Sequence, residues 1–294
     1  MAAENTVTCD TNQAPCSESV ISLFTFIHDR GEREVTVRTV LEYAESSNFR
    51  VNNESYKIGP ILSHCYVLYQ GHTVTKWKGR TALGAVSGRR LNLLNTIVEE
   101  YIGIPYAKPP VGDLRFMPPV PMEPWEGTYN ATQTRTGCPQ IPIPGIWAGE
   151  VTYTEDCLHP NVWTSRPPMN DSEASAQLSP VLAWIHGGGF CLGSAAYDNY
   201  TGSILAAKTG FVVVSMNYRL GVLGFMDARF PGAPGNMGLM DQNLALRWIQ
   251  KNARFFGGDP AKVTLFGESA GAMSINCHLL SPMSERTFRS GSST

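Results

Sequence analysis

Gly267-Glu268-Ser269-Ala270-Gly271 places a serine between two glycines, directly after the apolar run Val263-Thr264-Leu265-Phe266 and before a helix-like stretch. A serine hydroxyl is a weak nucleophile until a base takes its proton, and it must stand clear of the backbone for a carbonyl carbon to approach. A strand, a sharp turn and a helix in that order lift the side chain out, and this is the context that a G-x-S-x-G nucleophile requires. Gly267 and Gly271 bring no Cβ to the point where strand and helix nearly touch. Ala270 contributes a backbone N–H from the first helical turn, where donors are unpaired and the dipole favours an anion. The chemistry this spacing could do is attack by Ser269 on a carbonyl. The plainer reading, a chance match to a short pattern, is opposed by the strand-turn-helix setting.

His186-Gly187-Gly188-Gly189-Phe190 ends a second apolar run, Val181 to Ile185. Glycines there let consecutive backbone N–H groups point at one spot, as a developing oxyanion needs, and each such donor is worth roughly 2.7 to 4 kcal/mol in the transition state. Gly188 and Gly189, with Ala270, are the expected donors. Alone the pattern could be a mere tight turn. Glu268 leaves the elbow in a different direction from Ser269 and reads as a carboxylate lining the site. His186 reads as support for the glycine turn, and His278, nine residues after Ser269, as a surface or packing residue. Neither histidine reads as the general base. No cofactor or metal is called for.

The elements that must hold these residues are legible from apolar runs. Pro180 to Ile185, Phe211 to Met216 and Val263 to Phe266 are continuous rather than alternating, as in strands covered on both faces, so they read as central strands of a parallel sheet. Between the second and third, Met240, Leu244, Trp248 and Phe255 recur at helical spacing over Asn236 to Phe256, and Gly257-Gly258-Asp259-Pro260 supplies the stop. Strand, helix and strand in that order make the crossover unit of an α/β fold. Residues 1 to about 73 show no motif and no clean period, while from Gly84 onward short apolar runs alternate with Gly and Pro. A boundary between about 70 and 80 is expected, with residues 1–73 an extension of unknown role and 74–294 a partial α/β domain. Residues 167 to 179 read as a solvated Pro/Ser loop.

The 294 residues, 43% hydrophobic and 16% charged, suffice for a large core. With 23 Lys and Arg against 25 Asp and Glu, the chain has no field to hold a polyanion, so nucleic acid is not an expected partner. No run reaches the roughly 18 apolar residues of a membrane-spanning helix. The polar segment Met1 to Val20 carries no export signal. Asn53, Asn130, Asn170 and Asn199 head Asn-x-Ser/Thr sequons. The seven cysteines are an odd number. Cys138 and Cys157 flank a loop rich in Pro, Gly and Ile that a bridge would pin, and on the residues alone bridged and reduced forms both remain open.

From about Thr75 to Ser284 the chain resembles the type-B carboxylesterase and cholinesterase family. The resemblance rests on both glycine motifs together with Gly103-Ile104-Pro105-Tyr106-Ala107, Leu114-Arg115-Phe116, Glu155-Asp156-Cys157-Leu158, Asn217-Tyr218-Arg219-Leu220-Gly221, and Gly235-Asn236-Met237-Gly238-Leu239 with Asp241-Gln242. It implies an α/β-hydrolase fold with a mostly parallel sheet flanked by helices, export and glycosylation, and hydrolysis of carboxylic esters through an acyl-enzyme on Ser269. It also implies a Cys138 to Cys157 bridge. Histidine at the head of the glycine turn is similar to the carboxylesterase side of the family. Trp147, ten residues before Cys157, sits as the choline-binding tryptophan of cholinesterases does, although loop packing is its plainer reading. A cholinesterase-like adhesion or binding protein, which keeps the fold without the nucleophile, is the competing class, and Ser269 argues against it.

Three departures carry expectations of their own. His159-Pro160 replaces the aromatic and aliphatic residues usual after Leu158, and Pro160 lacks an N–H, so the strand there should begin late or lie at an edge. The family order puts acid and histidine downstream of the serine, and the sequence ends at Thr294, so the triad is expected to be incomplete and turnover weak or absent. The later strands that would cover the sheet are missing too, and an uncovered sheet edge invites aggregation.

Overall fold

A computed structural model describes residues 75–132, 136–141, 151–165 and 178–289, and the backbone of four earlier strands, Ser22–Asp29, Val35–Glu42, Asn48–Val51 and Glu54–Lys57. Trp147, the sequons at Asn53 and Asn170, Cys9, Cys16, Cys65 and most of the Pro/Ser loop lie outside the described residues.

Ten strands of the described residues form one sheet. In chain order they are β1 (Ser22–Asp29), β2 (Val35–Glu42), β3 (Thr75–Thr81), β4 (Gly84–Leu93), β5 (Thr96–Tyr101), β6 (Thr128–Asn130), β7 (Pro160–Thr164), β8 (Ser179–Ile185), β9 (Val212–Met216) and β10 (Gly258–Glu268). Across the sheet they run β2, β1, β10, β8, β9, β7, β5, β4, β3, with β6 beside β4. The centre is parallel: Val181 to Ile185 pair with Val212 to Met216 on one side and with Val263 to Gly267 on the other. These are the three continuous apolar runs, and every residue of β9 is buried, as a strand covered on both faces requires. Antiparallel strands extend the sheet on both sides, so it is mixed.

Among the described residues the α-helices are α1 (Ser203–Thr209), α2 (Gly221–Phe225), α3 (Met237–Asn252) and α4 (Ala270–Leu280). Helix α3 connects β9 to β10 and passes into a 3-10 turn, Ala253–Phe256, closed by Gly257 at φ 78°. Its buried face differs from the apolar stripe in the sequence. Met240, Leu244 and Phe255 are only half-buried, while Met237, Asp241, Gln242, Ala245, Ile249 and Asn252 lie inside with Trp248. Polar side chains on that face are tolerated because each has a partner: Asn252 Oδ1, for one, accepts from the Ala82 N–H at 2.8 Å.

One expectation is corrected. Strand β7 is neither late nor at an edge: it begins at Pro160, opposite Met216, and lies between β9 and β5. Proline is tolerated because it is the first residue of the strand, and its carbonyl still accepts from Ile104 N–H at 3.1 Å. On the other side of the centre, β1 pairs with β10 antiparallel from Phe24 opposite Glu268 to Phe26 opposite Phe266.

Several stretches that stand apart in the sequence meet here. Arg115 holds Glu155 through Nε and Nη2 at 2.6 and 2.9 Å, and Tyr106 donates its hydroxyl to the Asn217 carbonyl at 2.8 Å. Cys138 and Cys157 are bridged, with Cα atoms 5.0 Å apart and a sequence separation of 19. Closing a loop of that order restricts the unfolded chain by about 3 kcal/mol. Cys138→Ser with Cys157→Ser is therefore expected to lower the unfolding free energy by about that amount, read as a shift of the denaturant midpoint. An unchanged midpoint would mean that the bridge constrains nothing the fold does not already hold.

Candidate active site

Ser269 lies between β10 and α4 with φ 52° and ψ −119°, and it is exposed. A non-glycine residue at positive φ is costly and is kept where surrounding structure over-determines it. The close approach behind it is real: a Cβ on Gly271 would come within 2.0 Å of the Ile185 carbonyl oxygen, so only glycine lets α4 seat against the end of β8. Ala270 is the first residue of α4, and its N–H belongs to the turn whose donors have no helical acceptor.

Because β8 and β10 are adjacent and parallel, the segments after their carboxyl ends share one side of the sheet. The glycine turn and the serine elbow are those segments. A Cβ built on Gly187 would lie 3.1 Å from Ser269 Cβ. Gly188 at φ 110° and Gly189 at φ 60° carry the turn onward, and the Gly188 carbonyl accepts from the N–H groups of Cys191 and Leu192, both at 3.1 Å. The start of the glycine turn at Gly187 thus lies beside Ser269.

His186 supports that turn from beneath. It is fully buried, and its Nδ1–H donates to the Gly187 carbonyl at 2.9 Å, which fixes the neutral tautomer with the lone pair on Nε2. Burial lowers its pKa to about 4. Its ring stacks on Tyr218 at 4.4 Å, and the Tyr218 hydroxyl donates to the His186 carbonyl at 2.9 Å. Tyr218 was visible only as part of a motif stretch; nothing local signals that it holds a turn 32 residues earlier.

Half-buried Glu268 accepts from the Tyr200 hydroxyl at 3.4 Å, and the Tyr200 ring lies 5.2 Å from that of Trp184. The pairing of Tyr200 with Glu268 also escapes a sequence reading, because 68 residues separate them. His278 packs inside rather than on the surface. Gln242 donates Nε2–H to Ser274 Oγ at 3.0 Å, so its Oε1 accepts from His278 Nε2–H at 2.9 Å, and His278 Nδ1 then accepts from the Ser284 hydroxyl at 2.8 Å. Burial lowers this histidine too, to about 4. Both nitrogens are committed away from Ser269. Cys191 and Cys277 are free and exposed. Among the described residues no cluster of His, Cys, Asp and Glu could hold a metal, and no helix is long and apolar enough to cross a membrane.

His186 and His278, two of the three buried histidines among the described residues, set an acid limit. Each has a folded pKa of about 4 against an unfolded value near 6.5. Between those values the unfolded chain binds more protons, so stability rises with pH across that window and is fully present above about 6.5. Each histidine contributes roughly 3 kcal/mol of this dependence. Denaturant midpoints measured from pH 7 down to 4 should fall, and His278→Gln should flatten the slope by about one proton. An unchanged slope in that variant would show that His278 titrates in the folded state as it does in the unfolded one.

A family model described as "Carboxylesterase family" matches residues 77–291. The chain is 43% identical over 240 residues to a mouse (Mus musculus) protein named Cholinesterase, a match covering 78% of this chain and 38% of the relative. It is 43% identical over 221 residues to Acetylcholinesterase from Bungarus fasciatus, covering 72% of this chain and 35% of that relative. The chain therefore spans little more than a third of the length of these two relatives.

Proposed function

The chain belongs to the carboxylesterase family, and on that premise we propose that it carries the nucleophile and oxyanion site of a serine hydrolase of carboxylic esters. The observation that carries the reading is Ser269 at φ 52° on the strand-to-helix junction, beside the glycine turn. Ser269 Oγ attacks the ester carbonyl carbon, the alcohol leaves, and water then releases the acid from the acyl-enzyme. The N–H groups of Gly188, Gly189 and Ala270 hold the oxyanion in both steps. Glu268 lines the site and His186 keeps the turn in shape.

Proton transfer needs a base, and His186 and His278 are both buried and otherwise engaged. In this reading the histidine and acid come from the part of the relatives' length that the match leaves uncovered. The 294-residue chain alone then turns over esters weakly or not at all. Export of the protein fits its Cys138–Cys157 bridge, since disulfides persist in oxidising compartments.

The test compares the chain alone with the chain joined to the downstream, unmatched part of the mouse relative. Each is treated with a fluorophosphonate probe and an aryl ester. The joined protein should hydrolyse the ester and carry the probe on the peptide containing Ser269, while the chain alone should do neither at a comparable rate. A folded joined protein without label would favour a binding protein of the same fold. Rapid turnover by the chain alone would contradict an external base.

A second reading, hydrolysis of choline esters, is favoured by the names of the two relatives and by Glu268. Its carboxylate, with the Tyr200 and Trp184 rings nearby, could attract a quaternary ammonium. Lower KM for a choline ester than for its uncharged isostere, lost in Glu268→Gln, would select it.

A further inference from the structure

Gln140 lies just inside the loop that the Cys138–Cys157 bridge closes, and its carboxamide is spent mostly on one residue 53 positions away. Its Oε1 accepts from the Gly193 N–H and its Nε2–H donates to the Gly193 carbonyl, both at 2.8 Å. Nε2–H also donates to the Cys138 carbonyl at 3.1 Å, and Oε1 also accepts from the Tyr197 hydroxyl at 3.2 Å. Two donors and two lone pairs are the whole capacity of a carboxamide, so none is left over, and a flipped amide would set N–H against N–H at Gly193. Gly193 closes the far end of the glycine turn. Its φ is 113°, and a Cβ there would come within 2.4 Å of both the Gly187 carbonyl oxygen and His186 Nδ1, the two atoms that bond each other at the start of the turn. The Gly193 N–H and the Leu192 carbonyl belong to one planar peptide unit, so holding the first orients the second. That carbonyl oxygen would lie 2.1 Å from a Cβ on Gly188, while the Leu192 N–H donates to the Gly188 carbonyl at 3.1 Å. A continuous run of contacts thus leads from Gln140 through Gly193 and Leu192 to Gly188.

We propose that Gln140 is a positioning residue for ester hydrolysis: it holds the Leu192–Gly193 peptide so that the N–H groups of Gly188 and Gly189 keep their direction. This rests on the reading of the turn as the oxyanion site. A glutamine that merely tied two loops together would add stability, and its loss would leave kcat alone. A glutamine that aims the donors acts where charge develops on the carbonyl oxygen, so its loss lowers kcat and spares KM.

The experiment replaces Gln140 with methionine, which keeps the length of the side chain and none of its hydrogen bonds. In the 294-residue chain, amide hydrogen exchange over Gly187 to Gly193 is compared with that of the unaltered chain, with helix α3 as the internal reference. Exchange over the turn is expected to rise about tenfold, as the loss of a hydrogen bond there predicts, while α3 stays as it was. In the chain joined to the unmatched part of the mouse relative, kcat for an aryl ester is expected to fall about 10- to 100-fold with KM within about twofold, because a displaced donor weakens the transition state and not the bound ester. An unchanged kcat, or a loss confined to KM, overturns the proposal. So does exchange over the turn that stays the same or rises only as much as that of α3. If the unaltered joined protein fails to hydrolyse the ester, the esterase reading falls, and the exchange measurement alone decides whether Gln140 holds the turn.

Discussion

Replacing Ser269 with alanine is expected to lower ester turnover by about a millionfold in the chain joined to the unmatched part of the mouse relative, because loss of a nucleophile costs as much as loss of the whole relay. The fold should survive, since Ser269 is exposed and alanine asks for no new space. The glycine turn gives a graded companion. A Cβ on Gly188 would sit 2.1 Å from the Leu192 carbonyl oxygen, a backbone atom that can move only if the turn moves. Gly188→Ala should therefore displace a donor and cost about 10²- to 10³-fold in kcat. Gly189 has nothing within 4 Å of its Cβ position, and only its φ of 60° resists a side chain. Gly189→Ala should be milder, at about 1–2 kcal/mol of backbone strain. Steady-state kinetics on the three variants decides the matter. Equal, small losses would mean that the turn holds no oxyanion.

How far the sequence reaches depends on whether an interaction is local. The elbow is local: five residues between an apolar run and a helix carry the whole pattern, and the structure puts Ser269 on that junction. The three central strands are nearly as legible, because burial on both faces erases alternation and leaves plain apolar runs. Helix α3 shows where this logic fails. Asp241, Gln242 and Asn252 lie on its buried face because Arg219, His278, Ser274 and Ala82 meet them there, and those partners lie 22 to 170 residues away. An apolar count assigns such residues to solvent and rotates the helix. Pro160 misleads for the opposite reason: its missing N–H matters inside a strand and matters little at its first residue. The hairpin of β1 and β2 escaped because its partner, the edge at Phe266 to Glu268, is some 240 residues further on, and pairing at such separation leaves no local period.

The pair formed by Arg219 and Asp241 carries the largest expected loss of stability. Arg219 sends Nε–H and Nη2–H to the two oxygens of Asp241 at 2.8 and 2.7 Å, and its backbone N–H donates to the same carboxylate at 2.9 Å. The side chains are 3% and 0% exposed, so neither charge can return to water when its partner is removed. Asp241→Asn leaves a buried guanidinium facing a neutral amide, and breaking such a pair from one side costs about 3 to 5 kcal/mol. That is a large share of the 5–15 kcal/mol that holds a typical domain together. Substituting both residues with leucine removes both charges and should recover part of the loss. It cannot recover all of it, because the Arg219 N–H keeps no acceptor and an unsatisfied buried donor costs about 1–3 kcal/mol. The pair also bears on the site. Arg219 leads through Leu220 to Gly221, whose N–H donates to the Phe190 carbonyl at 2.7 Å, at the end of the glycine turn. Urea midpoints for Asp241→Asn and for the double leucine variant, beside the unaltered chain, test both expectations. If Asp241→Asn shifts stability by less than about 1 kcal/mol, the range of exposed ion pairs, the pair is not desolvated and cannot anchor the turn.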